Sequence, residues 1–297
     1  MSRPPFVDAH LHLWDRALGG AAQLRYPWLD EPASAPIAGS YSFADHRLAA
    51  AAWNLVGAVH VDAGAHPDDG ERETDWLNQI ADAEGLPTAI VARVELNHPD
   101  VDDLLARQAA RPRVCGIRHL VNWHPDPSRQ TYASDLTRDL AWRRGFGLLA
   151  QYGLSFDFHG FPQQLGGLIQ TAAAHPDVPV IVNHLGLPIL SDGLGAWRTG
   201  LTALAAMPQV SIKLSGAGFI AAPFDPVAFS PIVAEVVDLF GTDRVMIASN
   251  FPTDRLFAPL DRTLSAYEEI LPGLSDDERA KLWGRNANRI YRLELDL

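Results

Sequence analysis

The sequence predicts an α/β protein of the (β/α)8 TIM-barrel class, on three observations. Eight short runs rich in β-branched and apolar residues recur along the 297 residues. Longer segments of helical periodicity separate them, so strand and helix alternate throughout. The runs begin near residues 7, 55, 87, 114, 154, 178, 210 and 244, and each interval has room for one strand, one helix and their loops. A doubly wound open sheet is the alternative arrangement of the same alternation. No linker composition divides the chain, so one barrel domain over residues 1–297 is expected.

The first strand is expected over Phe6–Trp14. Residues 15–42 then carry Pro27, Pro32, Pro36 and Gly39 among the aromatic Tyr26, Trp28 and Tyr41. They form a long loop excursion over one barrel face, a candidate lid. Further strands follow at Leu55–Ala63, Thr88–Leu96, Val114–Asn122, Leu154–Gly160, Val178–Gly186, Val210–Gly216 and Arg244–Pro252. Helical periodicity covers Glu71–Glu84, Val101–Ala110, Leu136–Tyr152, Leu165–His175, Leu194–Met207, Pro226–Phe240 and Leu256–Leu271. Gly85, Gly153, Pro176 and Gly241 stand where helices should stop, and Pro87, Pro179 and Pro208 precede strands. A last helix over Asp276–Trp283 and a short closing segment complete the chain.

Charge and composition narrow the partners. Lys and Arg number 24 against 36 Asp and Glu, a formal net charge of −12, with the basic residues scattered. That balance repels phosphate backbones and excludes nucleic acid and anionic membranes as expected partners. No apolar run approaches the roughly 18 residues of a membrane helix, and the Met-Ser-Arg-Pro-Pro opening has no apolar signal region. The single cysteine, Cys115, rules out an internal disulfide framework and a Cys-rich zinc site, which fits a cytoplasmic setting. A small-molecule substrate is the expected partner, and a homo-oligomer stays open because barrels with excursion loops often assemble.

Strand alternation then assigns faces. Asp8, His10 and His12, His60 and Asp62, Ser155, Asp157 and His159, and Ser211, Lys213 and Ser215 are expected toward the barrel axis. Val7, Ala9, Leu11, Leu13, Val59 and Val61 are expected toward the helices, as is Cys115. Ordinary barrels fill the axis with aliphatics, and polar groups there are costly unless bonded, ligated or wet. His10 and His12 sit two apart on one strand, about 6.6 Å between Cα atoms, so both imidazoles can reach one point. His159 and His184 end the fifth and sixth strands. A lone buried histidine is most often a satisfied core residue, whereas four at matching strand ends mark a site. Gly216–Ala221 fits a G-x-G-x-x-A pattern, but Pro223 and Asp225-Pro226 continue a loop where a dinucleotide site needs a helix. No G-x-S-x-G elbow supports a serine nucleophile.

Several segments carry a family resemblance: Val7-Asp8-Ala9-His10-Leu11-His12, Gly116-Ile117-Arg118-His119, Phe156-Asp157-Phe158-His159, Val182-Asn183-His184-Leu185-Gly186, Ile212-Lys213-Leu214-Ser215 and Ser249-Asn250-Phe251-Pro252. Together, over about residues 6–293, they resemble the amidohydrolase superfamily, and more narrowly its branch of sugar-acid lactonases and 2-pyrone-4,6-dicarboxylate lactonase. The resemblance implies an amidohydrolase-type barrel hydrolase in which His10, His12, His159 and His184 bind a divalent metal, zinc or manganese, or polarise the scissile carbonyl without one. The superfamily's usual strand-eight Asp is Asn250 here. An amide cannot act as a general base, while a metal lowers the pKa of water to about 7 and needs less help from one. Asn250 therefore favours the metal route, with Asn250 orienting water or substrate. A metal-independent route shifts the base to Asp254, Asp62 or Asp157. Asp254 also reads as a helix cap and Asp157 as a histidine orienter.

Arg118, Lys213 and Arg255 are candidate anchors for a carboxylate or ring hydroxyls, and Trp14 and Trp123 candidate apolar walls. The expected function is opening of the cyclic ester of a sugar-acid or carboxylated lactone by an activated water. The alternatives are a metal-dependent decarboxylase or C–C hydrolase of the same superfamily, or a catalytically impaired sugar-acid binding protein.

Overall fold

The computed structural model describes residues 3–17, 19 and 23–297, so positions 18 and 20–22 of the expected excursion lie outside the described residues. The strands are β1 Phe6–Leu11, β2 Leu55–Val61, β3 Ala89–Arg93, β4 Val114–Leu120, β5 Ser155–His159, β6 Val180–Val182, β7 Val210–Leu214 and β8 Val245–Ile247. All pair in parallel in sequence order, which makes the expected (β/α)8 barrel. Closure occurs at the C-terminal rim, beyond the end of β8. There Asn250 N–H donates to His10 O and His12 N–H to Phe251 O, each at 2.8 Å. The strands are shorter than the apolar runs because the last residues of most runs turn into rim loops.

Helices α1 Phe43–Ala49, α2 Gly70–Glu84, α3 Val101–Ala109, α4 Leu140–Leu148, α5 Leu165–Ala174, α6 Gly195–Ala205, α7 Ala217–Ile220, α8 Pro226–Phe240, α9 Leu260–Ile270, α10 Asp276–Ala280 and α11 Asn286–Tyr291 follow the strands. Their ends obey local chemistry. Ser42 and Asp45 form a capping box on α1, Gly85 closes α2 at φ +79°, and Asp225 caps α8 ahead of a first-turn proline. One expectation fails at α7, where a single helical turn opens directly after Gly216 instead of a continuing loop. Among the described residues no helix is long and apolar enough to cross a membrane.

The face assignment holds for β5 and β7 and needs correction for β1, β2 and β4. The barrel interior holds Val7, Ala9, Val59, Val61, Val91, Cys115, Ile181, Met246 and Ala248, packed on Tyr291 and Leu293 of the closing segment. Val7, Ala9, Val59, Val61 and Cys115 therefore face the axis rather than the helices. Asp8 points outward, receiving Ser249 Oγ at 2.5 Å and lying 3.1 Å from His46 Nε2 on α1. His60 likewise leaves the axis, with Nε2 3.3 Å from Leu13 O. In β1 and β4 the cause is register: β1 takes an extra residue between Asp8 and Leu11 against β2, and β4 one between Val114 and Gly116 against β3, whereas β2 runs regularly through Val59–Val61 with its valines inward. Each slip inverts the alternation beyond it, so His10 and His12 still reach the interior above Val7 and Ala9.

The barrel interior is layered as a result. Its lower part is aliphatic and plugged by the closing segment. Its middle holds Asp157, Lys213 and the Tyr291 hydroxyl, and its upper rim holds the histidines.

Candidate active site

His10 and His12 leave the end of β1 with Nε2 atoms 3.3 Å apart. The His10 ring lies 4.7 Å from that of His184, and His184 lies 5.1 Å from His159, so the four expected histidines form one connected row. Each spends Nδ1 on a protein partner. His12 Nδ1 meets Val61 O at 2.7 Å, His159 Nδ1 meets Asn122 Oδ1 at 2.8 Å, His184 Nδ1 meets Ser215 Oγ at 2.9 Å, and His10 Nδ1 faces Lys213 Nζ at 3.3 Å. Such partners fix ring orientation and tautomer. Val61 O and Asn122 Oδ1 can only accept, so His12 and His159 carry their proton on Nδ1 and keep a lone pair on Nε2.

Burial, reinforced by the neighbouring cations, keeps these imidazoles neutral. It holds His10 and His12 well below the ordinary histidine range, with Lys213 and Arg118 as the next causes respectively. Burial and Arg118 bring His159 to about 3. His184, beside His159, is also driven well below. At neutral pH the row offers lone pairs and N–H donors, not imidazolium.

His12, His159, His184 and Asn250 line a cavity of about 680 Å³ at the barrel mouth, together with Arg118, Arg93 and Trp28. Arg118 is buried, and its terminal NH2 donates to Asp62 O. Its Nε stands 3.5 Å from Asp62 Oδ2, and neither atom makes a hydrogen bond. Arg93 is the register partner of Arg118 on the adjacent strand, and its buried Nε is likewise unpartnered. Two cations with spare donor capacity thus face one cavity. Beside them Glu73 on α2 is buried, and burial together with nearby Asp62 pushes its carboxyl up to about 8.

Asn250 sits at φ +55°, a left-handed conformation that asparagine and aspartate tolerate better than most residues. Its Nδ2 donates to Asp254 Oδ1 at 2.7 Å, which turns Oδ1 toward His12 Nε2 at 3.3 Å. Two lone-pair atoms therefore oppose each other with no proton between them. Asp254 is buried behind Asn250, and that burial raises its carboxyl to about 7. The loop after β6 is also wound left-handed, at His184 (φ +54°), Leu185 (+56°), Gly186 (+73°) and Leu187 (+46°). The three non-glycine residues carry strain of order 1–3 kcal/mol each, retained where it aims His184 and Leu187 at the mouth.

The fit to a divalent ion can be tested on these atoms. Among the described residues no group of three or more His, Cys, Asp or Glu side chains is arranged to hold a metal. The His10 and His12 Nε2 atoms, with Asn250 Oδ1 3.3 Å from the second, do match it. Two nitrogens about 2.0–2.1 Å from a tetrahedral ion lie roughly 3.4 Å from each other. His12 and Asn250 thus offer a divalent ion two neutral donors, and His10, whose Nδ1 accepts from Lys213 and whose proton therefore sits on Nε2, becomes a third on losing that proton. The Lys213 ammonium behind His10 opposes a strongly held one.

The remaining expected site residues lie elsewhere. Lys213 is fully buried beneath the histidines, 2.6 Å from Asp157 Oδ1, and touches His10 rather than the cavity. Trp14 is buried in the core of the excursion against Tyr26, Trp28 and Tyr41, its indole N–H on Gly39 O. Trp123 is not among the cavity's lining residues; its backbone N–H donates to Gln164 Oε1. Arg255 is exposed and lines a separate cleft with Tyr41 and Asp45. Sequence reasoning missed Asn122, Ser215 and Arg93 as site residues. Arg93 is the register partner of Arg118 at the end of β3, and its charge late in an apolar strand run was the readable signal.

The match to known proteins agrees with this geometry. The model of the family described as "Amidohydrolase" matches residues 7–293. An uncharacterized protein, y4mH, of Sinorhizobium fredii is 36% identical over 99% of this chain and 100% of its own length. An L-fucono-1,5-lactonase of Burkholderia multivorans is 28% identical over 97% of this chain and 96% of its own. A solved amidohydrolase from Burkholderia multivorans with bound zinc superposes with a TM-score of 0.81 at 27% identity, covering 97% of this chain and 99% of that one. With the barrel, the row of histidines at its mouth and the family match over nearly the full length, this chain belongs to the amidohydrolase family and is a hydrolase of that superfamily.

Proposed function

We propose that the protein opens the cyclic ester of a sugar acid or a related carboxylated lactone with an activated water. The observation that carries this reading is the pair of acceptors, His12 Nε2 and Asn250 Oδ1, side by side at the inner end of the cavity. A water donating its hydrogens to both atoms turns its lone pairs toward an ester carbonyl in the cavity. Its oxygen attacks the carbonyl carbon, and His12 Nε2 takes the released proton. The buried guanidinium of Arg118 meets the negative charge that develops on the carbonyl oxygen. Collapse breaks the ring C–O bond, and the leaving oxygen takes the proton back from His12, giving the open hydroxy acid.

A divalent ion held by His10, His12 and Asn250 would supply Lewis acidity at the same end of the cavity. The lactonase named among the relatives supports the substrate class.

The test is hydrolysis of a panel of aldonolactones, L-fucono-1,5-lactone included, by protein purified without added metal, before and after chelation, with elemental analysis alongside. Turnover is expected. Failure of folded protein to open any lactone, with and without zinc or manganese, would overturn the reading and leave the superfamily's decarboxylases or a binding role.

A further inference from the structure

The mouth of the barrel has two lobes, both lined mostly by hydrocarbon, that differ in charge. The cavity described above carries the charged one, with Arg93, Arg118 and His66 on its walls. A second hollow of about 440 Å³ opens from it and shares Asn122, Arg129, His159, Phe161 and Phe219. Every lining residue that this second hollow does not share is hydrocarbon: Leu187, Pro188, Ile189 and Ile220. All of its polar lining therefore lies at the seam with the histidines, and none at its far end.

Two further features favour an occupant there. Phe219 is 49% exposed although it is a large aromatic, held over the seam by an edge-to-face contact with Phe257 at 5.0 Å and lying 6.5 Å from the His184 ring. Leu187 reaches this wall only through the left-handed backbone at φ +46°. Exposed apolar surface concentrated beside a reactive row, with strain retained to keep it there, is the signature of a ligand wall.

We infer that the substrate is an amphipathic lactone: its ring ester lies over the histidines, its hydroxyl or carboxylate groups face Arg93 and Arg118, and a hydrocarbon substituent fills the lobe of Leu187, Pro188, Ile189 and Ile220. This inference rests on the lactonase reading and narrows it, because a fully hydroxylated sugar lactone would leave the hydrocarbon lobe wet.

The test is a homologous series of δ-lactones bearing methyl, propyl and pentyl substituents on the carbon next to the ring oxygen, with L-fucono-1,5-lactone as the hydroxylated reference. Each buried methylene is expected to raise kcat/KM about threefold to fourfold, so pentyl should exceed methyl by roughly two orders of magnitude. Ile189→Asp is expected to collapse that pentyl-to-methyl ratio, and Ile189→Leu to preserve it. Hydrolysis with no dependence on chain length, or a ratio that Ile189→Asp leaves intact, would overturn the inference while leaving the lactonase reading in place. If no lactone is opened, the lactonase reading fails, and calorimetric titration with 5-hydroxyhexanoate and 5-hydroxydecanoate judges the lobe separately. Tighter binding of the longer acid, lost in Ile189→Asp, keeps the hydrocarbon lobe; equal binding overturns it.

Discussion

The middle layer of the barrel interior and its mouth are built from the same kinds of polar residue, yet they satisfy them differently. In the middle, Asp157 receives Lys213 at 2.6 Å and the Tyr291 hydroxyl at 2.9 and 3.1 Å, in a fully buried cluster with no atom left over. At the mouth, Arg118 Nε, Arg93 Nε, Asp62 Oδ2 and Asp254 Oδ2 are buried without hydrogen-bond partners. Satisfied buried polar groups hold a structure together, whereas unsatisfied ones carry a penalty that a ligand can remove. The difference separates the residues that keep the barrel in shape from those that act.

The largest expected effect falls on the mouth. His12→Ala removes the acceptor beside Asn250 and should lower kcat/KM on a hydrolysed lactone by about 10²–10⁴-fold, with a nearly unchanged thermal midpoint. A large drop in midpoint with modest loss of activity would reverse the roles of the two layers. Lys213→Met tests the middle. Removing one partner leaves the Asp157 charge buried, which costs about 3–5 kcal/mol, a fall on the order of 10 °C in thermal unfolding. Adding Asp157→Leu should restore most of it, because the unpaired charge is then gone.

A smaller effect depends on pH. The fold favours the protonated form of Glu73, whose carboxyl rises from an ordinary value near 4.5 to about 8. Its contribution to stability is therefore complete below about 4.5 and lost as pH rises through 8. Thermal midpoints of the parent should fall across that window relative to Glu73→Gln, which cannot ionise. Parallel curves would place the unsatisfied carboxylate elsewhere. The smallest effect is on metal. Asn250→Asp keeps a backbone that suits φ +55° and replaces a neutral donor by an anionic one. Zinc titration should then show roughly tenfold tighter binding, about 1.4 kcal/mol. Unchanged affinity would remove Asn250 from the donor set.

Much of the site was legible because periodicity is a property of the chain itself. Alternation puts His10 with His12 and Asp157 with His159 in the interior, and the structure agrees. The errors came where periodicity is interrupted. Nothing in Val7–His12 announces that its register will slip, so Val7 and Ala9 were assigned the wrong face. Alternation also gives a face but no depth. Lys213 was correctly directed inward, yet it lies beneath the histidines with Asp157 rather than at the cavity wall. Trp14 and Arg255 sit on rim segments where no period applies, and both are turned away from the histidines.

By itself the sequence determined the alternation of eight strands with helices and the interior placement of His10, His12 and His159. These follow from local patterns of two and 3.6 residues, which a chain carries before it folds; that Asn250 stands where a carboxylate is usual comes from the family resemblance instead. Only the tertiary structure decided that Asn250 Oδ1 faces His12 Nε2, that Asn122 and Ser215 orient two of the histidines, and that Tyr291 reaches Asp157 across the barrel floor. Those contacts join residues far apart in the chain, and their partners are fixed by strand register and loop path, which depend on the packing of the whole barrel.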